Sequence, residues 1–113
     1  MKRGALIVAL VSSVGCGHID VHEVVFRTAP PTGVPVDVYM EGQPVETPVD
    51  DLALLQVMAY GDAAGTEASV AALRARAATL GCDVVVRVRV VNGANGTHAC
   101  GVCARRISAA ALR

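Results

Sequence analysis

The chain has 113 residues and a mass of 11.6 kDa, with 53% hydrophobic residues, ten basic and ten acidic residues, and a mean hydropathy of +0.49. That length allows one domain, and so apolar a composition excludes an intrinsically disordered chain. With 3% aromatics, no Trp and no net charge, the chain lacks the stacking surfaces and basic field that nucleic-acid binding uses, so no nucleic-acid partner is expected.

Met1-Lys2-Arg3 places two positive charges ahead of an apolar run, Gly4 to Val14. The run is shorter than the roughly 20 residues a bilayer span needs, and it has the length of a signal-peptide core followed by small residues. The competing reading, a buried N-terminal strand or helix, does not account for the charged start. Ser13-Val14-Gly15-Cys16 resembles the lipobox of bacterial lipoproteins, with Ser13 where that family prefers Leu. The resemblance implies removal of residues 1–15, acylation of Cys16 and a lipid anchor in the membrane. Gly17 in place of an Asp then implies an outer-membrane lipoprotein facing the periplasm of a Gram-negative envelope.

Charge is segregated along the rest of the chain. From Cys16 to Glu67 there are nine acidic residues and one basic, Arg27, whereas Ala68 to Arg113 holds seven Arg and one acid, Asp83. A binding face built from Arg74, Arg76, Arg87, Arg89, Arg105 and Arg106 is one reading. The plainer one is that the two halves fold together and neutralise each other, since neither buries a core alone.

In chain order, residues 16–35 read as a lipidated start and tether, with Gly17–Asp20 as the tether, His18 and His22 both solvated, and a short strand over Glu23–Thr28. Residues 36–113 read as the domain proper. Val36–Tyr39 alternates apolar and polar as a half-buried strand does, and Glu41-Gly42-Gln43-Pro44 is a turn. Leu52–Tyr60 is apolar on both alternating faces, which predicts a strand covered on both sides. After a Gly61–Gly65 turn comes the strongest element. Thr66 is expected to cap a helix that runs to Leu80, with Glu67 in its first turn, Gly81 just past its end, and Val70, Leu73, Ala77 and Leu80 on one face. Asp83–Val91 then alternates, which predicts Val84, Val86, Val88 and Val90 on one face and Arg87 and Arg89 on the other. A six-residue polar loop, Asn92–Thr97, returns the chain into His98–Ile107, and Ser108–Arg113 reads as a tail. The expected fold is α+β: a small, mostly antiparallel sheet with one helix, about 66–80, packed on one face.

The segment Leu73-Arg-Ala-Arg-Ala-Ala-Thr-Leu-Gly-Cys-Asp-Val-Val-Val resembles the helix-to-strand pattern A-x-x-L-G-A-D-A-V of small envelope families, among them the Rcs sensor lipoproteins and the α/β proteins labelled heavy-metal-binding. It implies the fold; Cys82 stands where those families have Ala, and no partner or metal residue carries over.

Cysteines carry the chemistry: Cys16, Cys82, Cys100 and Cys103. Export implies an oxidising compartment, and three remain if Cys16 is acylated. One arrangement is a structural disulfide among Cys82, Cys100 and Cys103 with a spare thiol. In the expected hairpin Arg89 faces Cys100 and Val86 faces Cys103, so Cys82 opposes neither unless Gly101 lets the last strand bend. A second is a redox dithiol, Cys100-Gly101-Val102-Cys103, although no helix begins at Cys100 to lower its pKa. A third is a metal site of Cys82, His98, Cys100 and Cys103, enough donors for tetrahedral zinc. Unpaired structural cysteines are the fourth. No nucleophile–base order, paired carboxylates or phosphate loop is present in the sequence, so no enzyme and no cofactor is expected. The reading is a non-catalytic envelope lipoprotein, an accessory or sensor-like binding domain whose ligand the sequence does not specify, with the membrane as one partner and an envelope protein as a candidate for another. The alternative is a periplasmic thiol-disulfide or metal-handling protein using Cys100 and Cys103.

Overall fold

A computed structural model describes residues 17–108; the expected signal segment, the expected acylation site at Cys16 and most of the expected tail fall on residues 1–16 and 109–113, outside them. The elements are β1 (His18–Val25), β2 (Asp37–Met40), β3 (Val49–Tyr60), a 3-10 turn over Gly61–Ala63, α1 (Thr66–Thr79), β4 (Val84–Gly93) and β5 (Gly96–Arg106). They build one five-stranded sheet in the order β1-β3-β5-β4-β2. The pairings β1–β3, β3–β5 and β5–β4 are antiparallel, whereas β2 runs parallel to β4. The protein is therefore mostly sheet with one helix. Residues 18–25 pair with β3 along their whole length, so Gly17–Asp20 is not a tether and His18 and His22 lie in the sheet.

The main core lies between α1 and one face of the sheet. Leu73 and Ala77 from the helix meet Leu55 and Val57 of β3, Val85 and Val88 of β4, and Ala99 and Cys103 of β5, all buried. Complete burial of a Leu such as Leu73 contributes about 2 kcal/mol. The chain from β1 to β2 lies on this side too, with Ala29 and Val36 in the same cluster. On the other face a smaller cluster of Val84, Val86 and Ala104 is covered by Tyr39, Val45 and Val49. That cover stops short of the middle of the sheet. Leu54, expected to be covered, is 44% exposed there.

The C-terminal end of the helix is held by backbone bonds and its N-terminal end by side chains. Gly81 N–H bonds to Ala78 C=O and Cys82 N–H to Ala77 C=O, the paired bonds of a Schellman cap. Gly81 has φ +88, and a β-carbon on it would lie 2.4 Å from the Ala29 carbonyl oxygen. The N-terminus departs from expectation: Gly65, not Thr66, is the N-cap, and Thr66 is the first helical residue. No side chain caps the first-turn N–H groups, and the hairpin between β4 and β5 instead ties down Gly65 and the Thr66 hydroxyl. Gly65 N–H donates to Thr97 Oγ1 at 2.7 Å, Thr97 donates to Asn92 Oδ1 at 2.7 Å, and Asn92 Nδ2 donates to Thr66 Oγ1 at 3.0 Å. Asn92 and Thr97 thus belong to the strands, pairing with each other, and the expected six-residue loop shrinks to Ala94-Asn95.

The alternation expected of β4 also changes. Val86 pairs with Val102, but Arg89 pairs with Cys100, so three steps on β4 match two on β5. The extra residue is a bulge at Arg87, which has φ +54. It flips the parity of the strand: Val84 and Val86 pack in the small cluster, whereas Val85 and Val88 both lie under the helix. Gly101 sits opposite, where a β-carbon would stand 2.8 Å from Val85 Cγ1 and 3.0 Å from Val88 Cγ2. The bulged strand thus leaves little room for a side chain at position 101.

The charge segregation resolves into pairing across the fold. Arg76 binds Glu23 through two hydrogen bonds, Arg87 lies 3.6 Å from Asp51, Arg89 3.3 Å from Glu41, and Arg106 2.9 Å from Asp37. Each joins an Arg of the second half to an acid of the first. Arg27 pairs with Asp50 within the first half, and Arg105 donates to the Pro30 carbonyl at 3.3 Å. Five of the six arginines of the expected face are thus engaged within the fold, and Arg74 is exposed on α1.

Candidate functional site

Cys82 and Cys103 form a disulfide with their Cα atoms 5.7 Å apart. The cap at Gly81 turns Cys82 down beneath the helix, and Cys103 points up from β5 because it shares the parity of Ala99. Both sulfurs lie in the main core. Val85, not Val86, is the partner of Cys103, a one-residue slip imposed by the Arg87 bulge, and that slip places Cys103 on the helix side beside the start of β4.

Cys100 keeps a free thiol, half-buried, on the opposite face of the sheet. Residues three apart on one strand point to opposite faces, so Cys100 and Cys103 do not form a dithiol. His98 shares the open face with Cys100. The four donors Cys82, His98, Cys100 and Cys103 are thus divided between two faces, with two of the sulfurs bonded to each other. Among the described residues no group of three or more His, Cys, Asp or Glu is placed to hold a metal ion.

The open face is arranged as rungs across the strands. One rung runs His22–Gln56–Cys100–Arg89, and the next runs Val24–Leu54–Val102–Val86. Between them lies a groove of about 380 Å³, floored by Val24, Leu54 and Val102 and edged by His22, Gln56 and Arg87. Gln56 Nε2 lies 2.9 Å from His98 Nε2, within hydrogen-bond distance. His18 stacks on Tyr60 with ring centroids 4.6 Å apart. The surface is apolar in the middle and polar at its rim, the form of a binding surface for an apolar group.

The pKa values that move belong to the ion pairs. The Arg76 guanidinium hydrogen-bonded to Glu23 holds that carboxyl below its ordinary range, against a smaller opposing effect of burial. Arg106 is pushed up by its hydrogen bonds to Tyr39 and Asp37.

Sequence reasoning missed the groove. Leu54 reads as core because Leu52–Tyr60 is apolar on both alternations, and nothing local reveals that the segment after β2 covers only the lower part of that face. The chain matches no known family model, no characterised protein and no solved structure.

Proposed function

We propose that this chain is an exported, non-catalytic envelope lipoprotein, anchored through Cys16 and facing the periplasm, where it serves as an accessory or sensor-like binding domain for an envelope protein. The observation that carries the reading is the Cys82–Cys103 disulfide in the main core. Such a bond persists in oxidising compartments and is rare in the cytosol. It agrees with the charged start and apolar run of residues 1–14 and with the lipobox-like Ser13–Cys16. The open groove, with an apolar floor and its rim arginine Arg87 paired to Asp51, supports binding over chemistry.

The test is the intact mass of the protein from the membrane fraction of its host, before and after reduction with alkylation. The expected species begins at Cys16, carries acyl mass, alkylates once before reduction, at Cys100, and three times after it. An unacylated chain in the soluble fraction, or three thiols free before reduction, would overturn the reading.

A further inference from the structure

We propose that two copies of this chain associate through β1, each pairing its β1 antiparallel with the other's, so that two five-stranded sheets join into one of ten strands. The inference concerns assembly and does not depend on the lipid anchor.

The two edges of the sheet are built differently. β2 is four residues long and lies between Pro35 and Pro44, a short, proline-flanked edge of the kind that resists further pairing. β1 is eight residues long and contains no Pro, Lys or Gly, and among the described residues no strand covers its outer side. Its Ile19, Val21, Val24 and Val25 are all exposed, the last two at 58% and 42%.

The backbone of β1 is set for self-pairing. Its register with β3 is constant, and Phe26 N–H donates to Leu52 C=O at 2.8 Å in continuation of it. Antiparallel alternation then turns the even-numbered residues toward β3 and leaves the N–H and C=O groups of Ile19, Val21, Glu23 and Val25 pointing outward. The same odd residues lie on the helix side, since Val21 pairs with buried Val57. A two-fold axis perpendicular to the sheet keeps both helices on one side and sets odd residues opposite odd. That is the arrangement the outward hydrogen-bonding groups need.

Side chains select the register. Centred on Val21, the pairing sets Val21 opposite itself, Ile19 opposite Glu23, Asp20 opposite His22 and His18 opposite Val24. Two symmetric carboxylate–imidazole pairs form, and each exposed Val24 comes beside the partner copy's His18–Tyr60 stack. Moving the centre to Asp20 opposes two carboxylates, and moving it to His22 opposes two imidazoles. A single eight-residue strand pair is a small interface, so the dimer is a weak, concentration-dependent one.

The test is sedimentation equilibrium of the full chain in mild detergent over a concentration series, with circular dichroism to check folding. The expected result is a concentration-dependent species of twice the chain mass. Val21→Lys, exposed and on the outer edge, is expected to weaken it about tenfold or more. On a Cys16→Ser, Cys100→Ser background, Val21→Cys should crosslink to a dimer on mild oxidation, because Val21 faces itself, whereas Val25→Cys should not. If Val21→Lys fails to fold, this crosslinking comparison decides. A monomer throughout the series would overturn the proposal, as would a dimer insensitive to Val21→Lys or equal crosslinking at both positions. A chain that stays monomeric yet captures an added strand peptide would also overturn it.

Discussion

Gly81 is needed twice over, once for its positive φ and once because the Ala29 carbonyl occupies the place of a β-carbon. Gly33 shares the positive φ, +76, but has open space around it. Gly33→Ala should therefore cost about 1 kcal/mol, the backbone penalty alone, and Gly81→Ala at least about 2 kcal/mol more, read from urea midpoints. Gly101→Ala crowds Val85 and Val88 and should cost about 1–3 kcal/mol through overpacking, with no φ penalty. Ser69 is the opposite case. Its hydroxyl is buried on the helix without a hydrogen-bond partner among the described residues. Ser69→Ala removes that group and improves helix propensity, so thermal unfolding should show a gain of about 0.5–1 kcal/mol. Gly81 is legible in the sequence because a glycine after an amphipathic run is a cap. Gly101 is not, because its reason is the bulge on another strand.

At the scale of elements, the helix was the most legible and β4 the least. Val70, Leu73, Ala77 and Leu80 mark the helix face by spacing alone, and the structure buries or half-buries all four. β4 reads as a regular alternating strand, and its parity changes at Arg87 because Val85 and Val88 both fit beneath the helix opposite Gly101. The disulfide follows from that change. It was one of several arrangements compatible with the sequence, since a regular hairpin sets Cys82 opposite no cysteine. Closing a loop over a sequence separation of 21, the bond should contribute about 3 kcal/mol. Cys103→Ser should lower the urea midpoint accordingly, whereas Cys100→Ser, on the open face, should change stability by less than about 0.5 kcal/mol.

Across the whole molecule, acidic and basic halves meet as ion pairs between β1 and α1, between β2 and β5, and between β3 and β4 at the Arg87 bulge. Arg76 lowers the Glu23 pKa below its ordinary value of 4.5, so the folded state holds that carboxylate's charge more firmly than the unfolded chain does. The stabilisation is complete above pH 4.5 and is lost as pH falls through the lowered value. Glu23→Gln should thus be less stable than the parent at neutral pH, with the difference shrinking on acidification, as urea midpoints at pH 7, 5 and 3 would show. Exposed pairs such as Arg89–Glu41 should contribute little and fade with salt. Periodicity, caps and composition, read from the sequence, determined a mostly sheet protein with one helix near residues 66–80, because these are local properties of neighbouring residues. Which arginine meets which acid, which two cysteines bond, and which apolar row stays open over the groove were decided by the tertiary structure alone. Each depends on strands distant in the chain being brought side by side, and a single bulge shifts all the neighbours that follow it.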